Sequence, residues 1–410
     1  MRIMLVTPSL ANGGAQRVVA RLASQLCHDH EVTVVCTYPA DNRGITYPVD
    51  PAVEVVEIEA GLRWRRPITA WSFIAQNRSL AKQLRTLKRE RSVDVSASFL
   101  TACNVPNVWS RGDEGVVVSI RNMQEPSLGE SGLEPTTMRN LIARTSSAAD
   151  LVACISQGVA DEQRDLFGVP EELLRVISNP IDAEELRRRS ELPLEDAAFE
   201  DFRARHELVV ASMGRLVPHK CFHHLLRSFA RVREDNQGAG LLVLGQGPLE
   251  QDLRALAQEL GISEHVLFTG FVDNPERYLV RSDVFAMNST QEGLCNAVLE
   301  AAALGLPVIS TDCASGPREI LAPGTGAAGS ATDVEHAAFG VLVPNCTNSW
   351  DPSAANDASE DAMARGIAEL LHDEGLRAAY RAAGALRAKD FSAPVITQQW
   401  LRAFQEVARA

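Results

Sequence analysis

Short apolar runs alternate with longer amphipathic stretches along nearly the whole chain, and few folds accommodate that alternation. RIMLV opens it, PSLANGGAQRVVARLASQL follows as a glycine turn feeding a helix, and HEVTVVCT is a second strand. Strand, glycine turn, helix and strand form the start of a doubly wound α/β domain. The pattern returns in VEVVEI, VDVSASF, GVVVSI, ADLVACIS and LRVIS, then stops at Asn179–Pro180, a dipeptide that breaks the chain. An acidic, low-aromatic segment over 183–205 reads as an exposed helix and loop at a hinge. A second series follows: ELVVASM, LLVLG, HVLFTG, DVFAM, PVIST and FGVLVP. The stretches 322–338 and 347–362 read as loops, and two periodic helices close the chain. Two α/β domains are therefore expected, and 410 residues with 45% hydrophobic content suffice to fill both cores.

Composition narrows the function classes. The net charge of −13 is uneven: residues 1–180 hold 19 basic and 20 acidic side chains, residues 181–410 hold 21 and 33. Nucleic acid is thus not an expected partner. No apolar stretch is long enough to cross a bilayer. The N-terminal MRIMLV is too brief for a signal peptide and reads as the first strand. Eight cysteines without a C-x-x-C pair fit reduced thiols in a cytoplasmic protein. His219, His223 and His224 cluster with Cys221; this reads as an ordinary helix start with mixed surface and core contacts rather than a metal site. Positive charge concentrates over 63–91, in Arg63, Arg65, Arg66, Arg78, Lys82, Arg85, Lys88, Arg89 and Arg91, with Trp64, Trp71 and Phe73 interleaved. Such a stretch is either a solvated helix face or a surface for an anionic membrane at the inner face of the cell, or for an anionic acceptor.

The stretch with the most chemistry is NSTQEGLCNAVLEAAALGLPVISTDCASGPREI, Asn288 to Ile320. Glu292 lies on a polar turn and Glu300 inside an Ala-rich helical run that ends at Gly305, a natural left-handed residue. An all-helical interval would separate the two carboxylates by roughly 12 Å. Each can accept from both hydroxyls of a vicinal diol, and the helix N-terminus between them favours anionic oxygens. A nucleotide-sugar has that layout: ribose diol, diphosphate, sugar diol. Upstream, G-R-L-x-x-x-K places Arg215 and Lys220 beside Gly214 after a strand, a pair of cations suited to a diphosphate. Gly245 and Gly247 in G-x-G-P allow a tight strand-to-helix turn. Gly13–Gly14 exposes N–H donors but lacks the spacing of a dinucleotide fingerprint.

These residues resemble those of the retaining family-4 glycosyltransferases of GT-B architecture, and the resemblance extends over most of the chain. It implies two facing Rossmann-like domains with an interdomain cleft: an acceptor-side domain over 1–182 and a donor-binding domain over 183–392. The last helix, about 393–410, would cross back onto the first domain, anchored by Trp400 and Phe404. In that family the E-x7-E glutamates hold donor sugar and ribose, so Glu292 is expected on the sugar and Glu300 on the ribose. The family's G-G-A-x-R-V turn implies that Gly13 and Gly14 approach the diphosphate or acceptor. G-R-L-x-x-x-K-G implies Arg215 and Lys220 on the phosphates, although Cys221 stands where that pattern has glycine. Gly270 and Phe271 would flank the base, with Phe271 or Val272 offering backbone hydrogen bonds. Many relatives carry a histidine where this chain has Arg121, in S-x-R-N. Arg121 cannot act as a base; a contact to phosphate or acceptor and a structural salt bridge are both open to it.

The resulting expectation is retaining transfer of a hexose or N-acetylhexosamine from a UDP-sugar, or a GDP-sugar, to a glycan or lipid-linked acceptor. Charge grows on the leaving phosphate, so Arg215, Lys220 and the amides of Gly293, Leu294, Cys295 and Asn296 would stabilise it. No cofactor or metal is then needed, and the chain has no D-x-D near a strand end. Two other readings fit the fold: a nucleotide-sugar-binding partner subunit without activity, and a sugar-nucleotide epimerase.

Overall fold

The computed structural model describes all residues except Asn12, 39–46, 60–69, 126–127, 129–133, 327, 347–357 and 409–410. The chain divides into two compact units, Met1–Pro180 with Ala393–Ala410, and Ile181–Ser392. Among the described residues each contains a sheet of seven strands flanked by helices.

The first unit contains β1 (Arg2–Thr7), β2 (Glu31–Cys36), β3 (Glu54–Glu57), β4 (Val95–Phe99), β5 (Gly115–Ile120), β6 (Leu151–Cys154) and β7 (Leu174–Val176). Their order is β3-β2-β1-β4-β5-β6-β7, parallel throughout. The central strands are buried on both faces, which is why they read as unbroken apolar runs. The closing helix Ala393–Val407 belongs to this unit, with Trp400 and Phe404 fully buried in its core. The Trp400 ring sits 5.2 Å from that of Phe99 on β4.

The second unit contains β8 (Leu208–Met213), β9 (Ala239–Leu244), β10 (Val266–Gly270), β11 (Val284–Met287), β12 (Val308–Thr311), β13 (Glu335–His336) and β14 (Val341–Val343). Their order is β10-β9-β8-β11-β12-β14-β13, and β13 pairs with β14 antiparallel while the other neighbouring strands among the described residues pair parallel. The stretch read as a loop over 322–338 thus carries a short edge strand. Two residues without an apolar run leave no pattern to find; Glu335 is held there by Arg318, whose Nη2 donates to its Oε2 at 2.7 Å. The acidic segment forms two capped helices, Ala183–Ser190 and Ala197–Arg205, with Asp182 and Asp196 accepting from the first-turn amides.

The basic stretch is a helix, Ala70–Glu90, but its charges do not act alike. Lys88 is buried and pairs with Glu114 at 2.8 Å, and Arg91 pairs with Glu54 at 2.6 Å. Lys88 thus leaves the surface, because helical periodicity turns it inward, whereas Arg91, just past the helix, stays half-exposed with its charge paired. Arg63, Trp64, Arg65 and Arg66 lie outside the described residues. Among the described residues no helix is long and apolar enough to cross a membrane.

Candidate functional site

In the second unit the chain winds outward from β8 to β10, then returns to place β11 on the other side of β8. Ligands of doubly wound sheets gather at such a reversal, outside the strand C-termini. The two loops that leave β8 and β11 carry Arg215 and Lys220, and Glu292, respectively.

After β8, Gly214 meets the turn that follows β9. A Cβ on Gly245, whose φ is +135°, would lie 2.0 Å from the Gly214 carbonyl oxygen, so only glycine allows this approach. Leu216 N–H donates to the Gln246 carbonyl at 3.1 Å and locks the two loops together. Beside them is a pocket of about 520 Å³ whose walls include Gly214, Arg215, Gly245, Gly247, Phe271 and Val272. Six residues chosen from separate sequence motifs therefore share one cavity. Phe271 is largely exposed, an uncommon position for a large aromatic side chain.

A single 3₁₀ turn, Pro218–Lys220, brings Lys220 back over Gly214, with its Cδ 3.7 Å from where a Gly214 Cβ would be. The His219 carbonyl accepts from the Thr290 N–H at 2.9 Å, tying this loop to the one after β11. Lys220 Nζ forms an ion pair with Glu292 Oε1. Burial pushes the Lys220 ammonium down, but the charge and hydrogen bond of Glu292 outweigh it and hold the group above its ordinary value. The Lys220 ammonium therefore stays charged through neutral pH. Cys221 adopts a left-handed conformation, φ +48°, of the kind glycine takes most easily.

The Glu292 loop is clamped from the turn after β12. Ser315 Oγ donates to the Gly293 carbonyl at 2.7 Å, and Thr311 Oγ1 to that of Ser289 at 2.6 Å. Gly316, φ +98°, packs so closely that a Cβ would meet the Leu294 carbonyl at 2.7 Å and Cys295 Sγ at 2.9 Å. Cys295, buried and left-handed at φ +70°, starts the helix Asn296–Ala303, which carries Glu300 in its second turn. Buried Arg318 holds the clamp itself, donating to Asp312 Oδ2 at 2.6 Å. Ser315, Gly316, Arg318 and Asp312 support the site without lining the pocket; in the sequence, S-G-P-R after a buried strand is the signal for the first three.

Gly13 and Gly14 form the turn into the helix Gly14–Leu26, after β1. Arg121, just past β5, is buried, and its guanidinium donates to Ser119 Oγ at 3.3 Å, to the Ile177 carbonyl at 3.4 Å and to Asn179. Burial pushes it down to about 9. Among the described residues none of its acceptors is a carboxylate, so Arg121 makes neutral hydrogen bonds there rather than a salt bridge.

In the histidine cluster His219 is half-buried, while Cys221, His223 and His224 are buried at the start of the helix Phe222–Asp235.

Two family models cover most of the chain. "Glycosyltransferase Family 4" matches residues 12–185 and "Glycosyl transferases group 1" matches 195–342. The chain belongs to the family-4 glycosyltransferases of GT-B fold. The transferase is 29% identical, over 96% of each chain, to a Campylobacter jejuni enzyme named N-acetylgalactosamine-N,N'-diacetylbacillosaminyl-diphospho-undecaprenol 4-alpha-N-acetylgalactosaminyltransferase. It is 29% identical, over 60% of its length and 59% of the relative's, to a GDP-mannose-dependent alpha-(1-6)-phosphatidylinositol monomannoside mannosyltransferase of Mycobacterium tuberculosis. Among solved structures it resembles Anabaena HepE in complex with UDP, with a TM-score of 0.73 at 19% identity, covering 99% and 100% of the two chains.

Proposed function

We propose that this glycosyltransferase moves a hexose or N-acetylhexosamine, with retention, from a nucleotide-diphosphate sugar to a lipid-linked glycan, without a divalent ion at the diphosphate. The observation that carries the reading is the Lys220–Glu292 pair standing over Gly214, beside the pocket lined by Arg215 and Phe271. The pocket takes the nucleoside, with the base against Phe271 and Val272. Arg215, Lys220 and the amides from Gly293 to Asn296 hold the diphosphate, Glu300 the ribose and Glu292 the sugar. As the anomeric C–O bond breaks, charge grows on the leaving phosphate, and fixed cations and N–H donors lower that barrier. A UDP-sugar is favoured and a GDP-sugar is the alternative; the relatives named above include users of lipid-linked acceptors and of GDP-mannose.

A thermal-shift panel of UDP, GDP and ADP, in buffer passed over chelating resin, tests the donor site. UDP or GDP should raise the melting temperature as its concentration exceeds Kd, and the matching sugar nucleotide should then be turned over. Binding or turnover that depends on added magnesium or manganese would refute the cation clamp.

The acceptor side has a matching surface. Trp71, Ile74, Arg78, Lys82, Arg85 and Arg89 are exposed and recur every three or four residues along the helix Ala70–Glu90, so they share one face. Two apolar side chains at one end and four cations along the rest suit an anionic lipid surface. Vesicles containing phosphatidylglycerol should retain the chain in low salt and release it in high salt, and Arg78→Glu/Lys82→Glu should abolish retention. Equal retention on neutral vesicles would remove this contact from the proposal.

A further inference from the structure

A cluster of soft ligand groups lies immediately behind Lys220, outside the donor pocket. Cys221, His223 and His224 each present a ligand atom, all within 4.8 Å of one another, and all three residues are buried. Cys346, just beyond β14 and also buried, brings its thiol within hydrogen-bonding reach of the Cys221 thiol. The His223 and His224 rings lie with centroids 4.2 Å apart.

Three further features fit a bound cation. The first is the orientation of His224. Its Nδ1 lies 2.7 Å from Glu360 Oε1, and that carboxylate is fully buried and shared with Arg227 at 3.3 Å and Arg231 at 3.0 Å. A carboxylate accepts only, so Nδ1 carries a proton, and in the neutral ring that leaves Nε2 as the nitrogen with the lone pair. Metal-bound histidines are commonly held in this way by a carboxylate behind them. The second is Cys221 itself, a left-handed non-glycine residue that puts a thiol where glycine would be unstrained. The third is Asn288, whose carbonyl accepts from the Cys346 thiol at 3.0 Å. Its carboxamide atoms and the neighbouring Ser289 hydroxyl are buried without a protein partner among the described residues. Buried polar atoms left over beside a ligand cluster point to an ion or water that completes it.

We propose that Cys221, His223, His224 and Cys346 form a structural metal site for a borderline divalent cation, zinc by its chemistry. Two sulfurs and two imidazoles are a tetrahedral zinc donor set, whereas magnesium and calcium take oxygen. Ligands on a tetrahedral zinc stand about 3.4–3.8 Å apart, so Cys221, His223 and His224, within 4.8 Å of one another, close on one ion with shifts of roughly an ångström, and Cys346 joins them from beside the Cys221 thiol. Binding displaces the two thiol protons to solvent. The cation would join the residue after Lys220 to the chain beyond β14, fixing the loop that carries the ammonium. It is distinct from any ion at the diphosphate and does not rest on the identity of the donor.

Titration of the reduced, metal-stripped full chain with zinc and with cobalt tests this. One equivalent should bind per chain, cobalt should give sulfur-to-metal charge transfer with the visible bands of a tetrahedral ion, and zinc should protect two thiols from a thiol reagent. Cys346→Ser and His223→Gln should each lose the cobalt spectrum. If either variant fails to fold, the thiol protection in the unsubstituted chain still decides. No stoichiometric binding, an unchanged spectrum in folded variants, or a Cys221–Cys346 disulfide in chain isolated without reductant would each overturn the site. Because the readout is metal absorption, its failure leaves the donor reading standing, and loss of UDP binding leaves this one standing.

Discussion

Replacing Lys220 by alanine is expected to lower kcat/KM by about 10²- to 10³-fold, the range for removing one preorganised donor to a developing anion. The ammonium is held charged by Glu292 and rests over Gly214, beside Arg215. Its contribution grows as charge moves onto the leaving diphosphate, so kcat should fall as well as affinity. Glu292→Gln separates two roles for the carboxylate. If Glu292 only holds Lys220, the double variant Lys220→Ala/Glu292→Gln should be no worse than the Lys220→Ala variant. If it also grips the donor sugar, the double variant should lose a further factor that follows the sugar rather than the nucleotide. Steady-state kinetics with nucleoside diphosphate release, alongside the UDP melting shift, distinguish these outcomes. An unaltered kcat/KM in folded Lys220→Ala protein would remove the ammonium from the chemistry.

The parts of this site that the sequence revealed are those whose spacing is local. Arg215 and Lys220 lie on one loop, Glu292 and Glu300 lie around one turn, and buried parallel strands such as β5 read as continuous apolar runs. The pocket's walls were also legible, because each glycine turn follows a strand end and strand ends of one sheet share an edge. What stayed hidden depends on contacts between segments far apart in sequence. Gly316 is needed because Leu294 and Cys295 press against it, and nothing near Gly316 announces that. The proximity of Cys221 to Cys346, and the carboxylate of Glu360 behind His224, exist only once β14 and the helix Ala358–His372 are in place. A charge run has the same weakness, since Lys88 and Arg89 are neighbours in sequence and opposite in burial.

Lys88 supplies the larger stability effect. Lys88→Met should destabilise the chain by about 3–5 kcal/mol, the usual result of leaving one member of a buried ion pair behind. Here the member left is Glu114, almost fully buried, and the Asn107 carbonyl loses one of its two donors, at 3.1 Å, keeping Ser110 Oγ at 2.7 Å. The intact pair is nevertheless not a strong source of stability. Burial pushes the Lys88 ammonium down to about 8, more than the Glu114 charge and hydrogen bond restore. The charged form is thus disfavoured on folding. That penalty is fully present below pH 8, where both states are protonated, and is relieved as pH rises toward the ordinary lysine value, because the unfolded chain then holds more protons. Lys88→Met/Glu114→Leu, which removes both charges, should therefore recover most of the loss and can match or exceed the parent. Denaturant unfolding of the parent, single and double variants at pH 7 checks the ordering. A double variant as unstable as the single one would mean that the pair, not the stranded carboxylate, holds the helix Ala70–Glu90 against its neighbours.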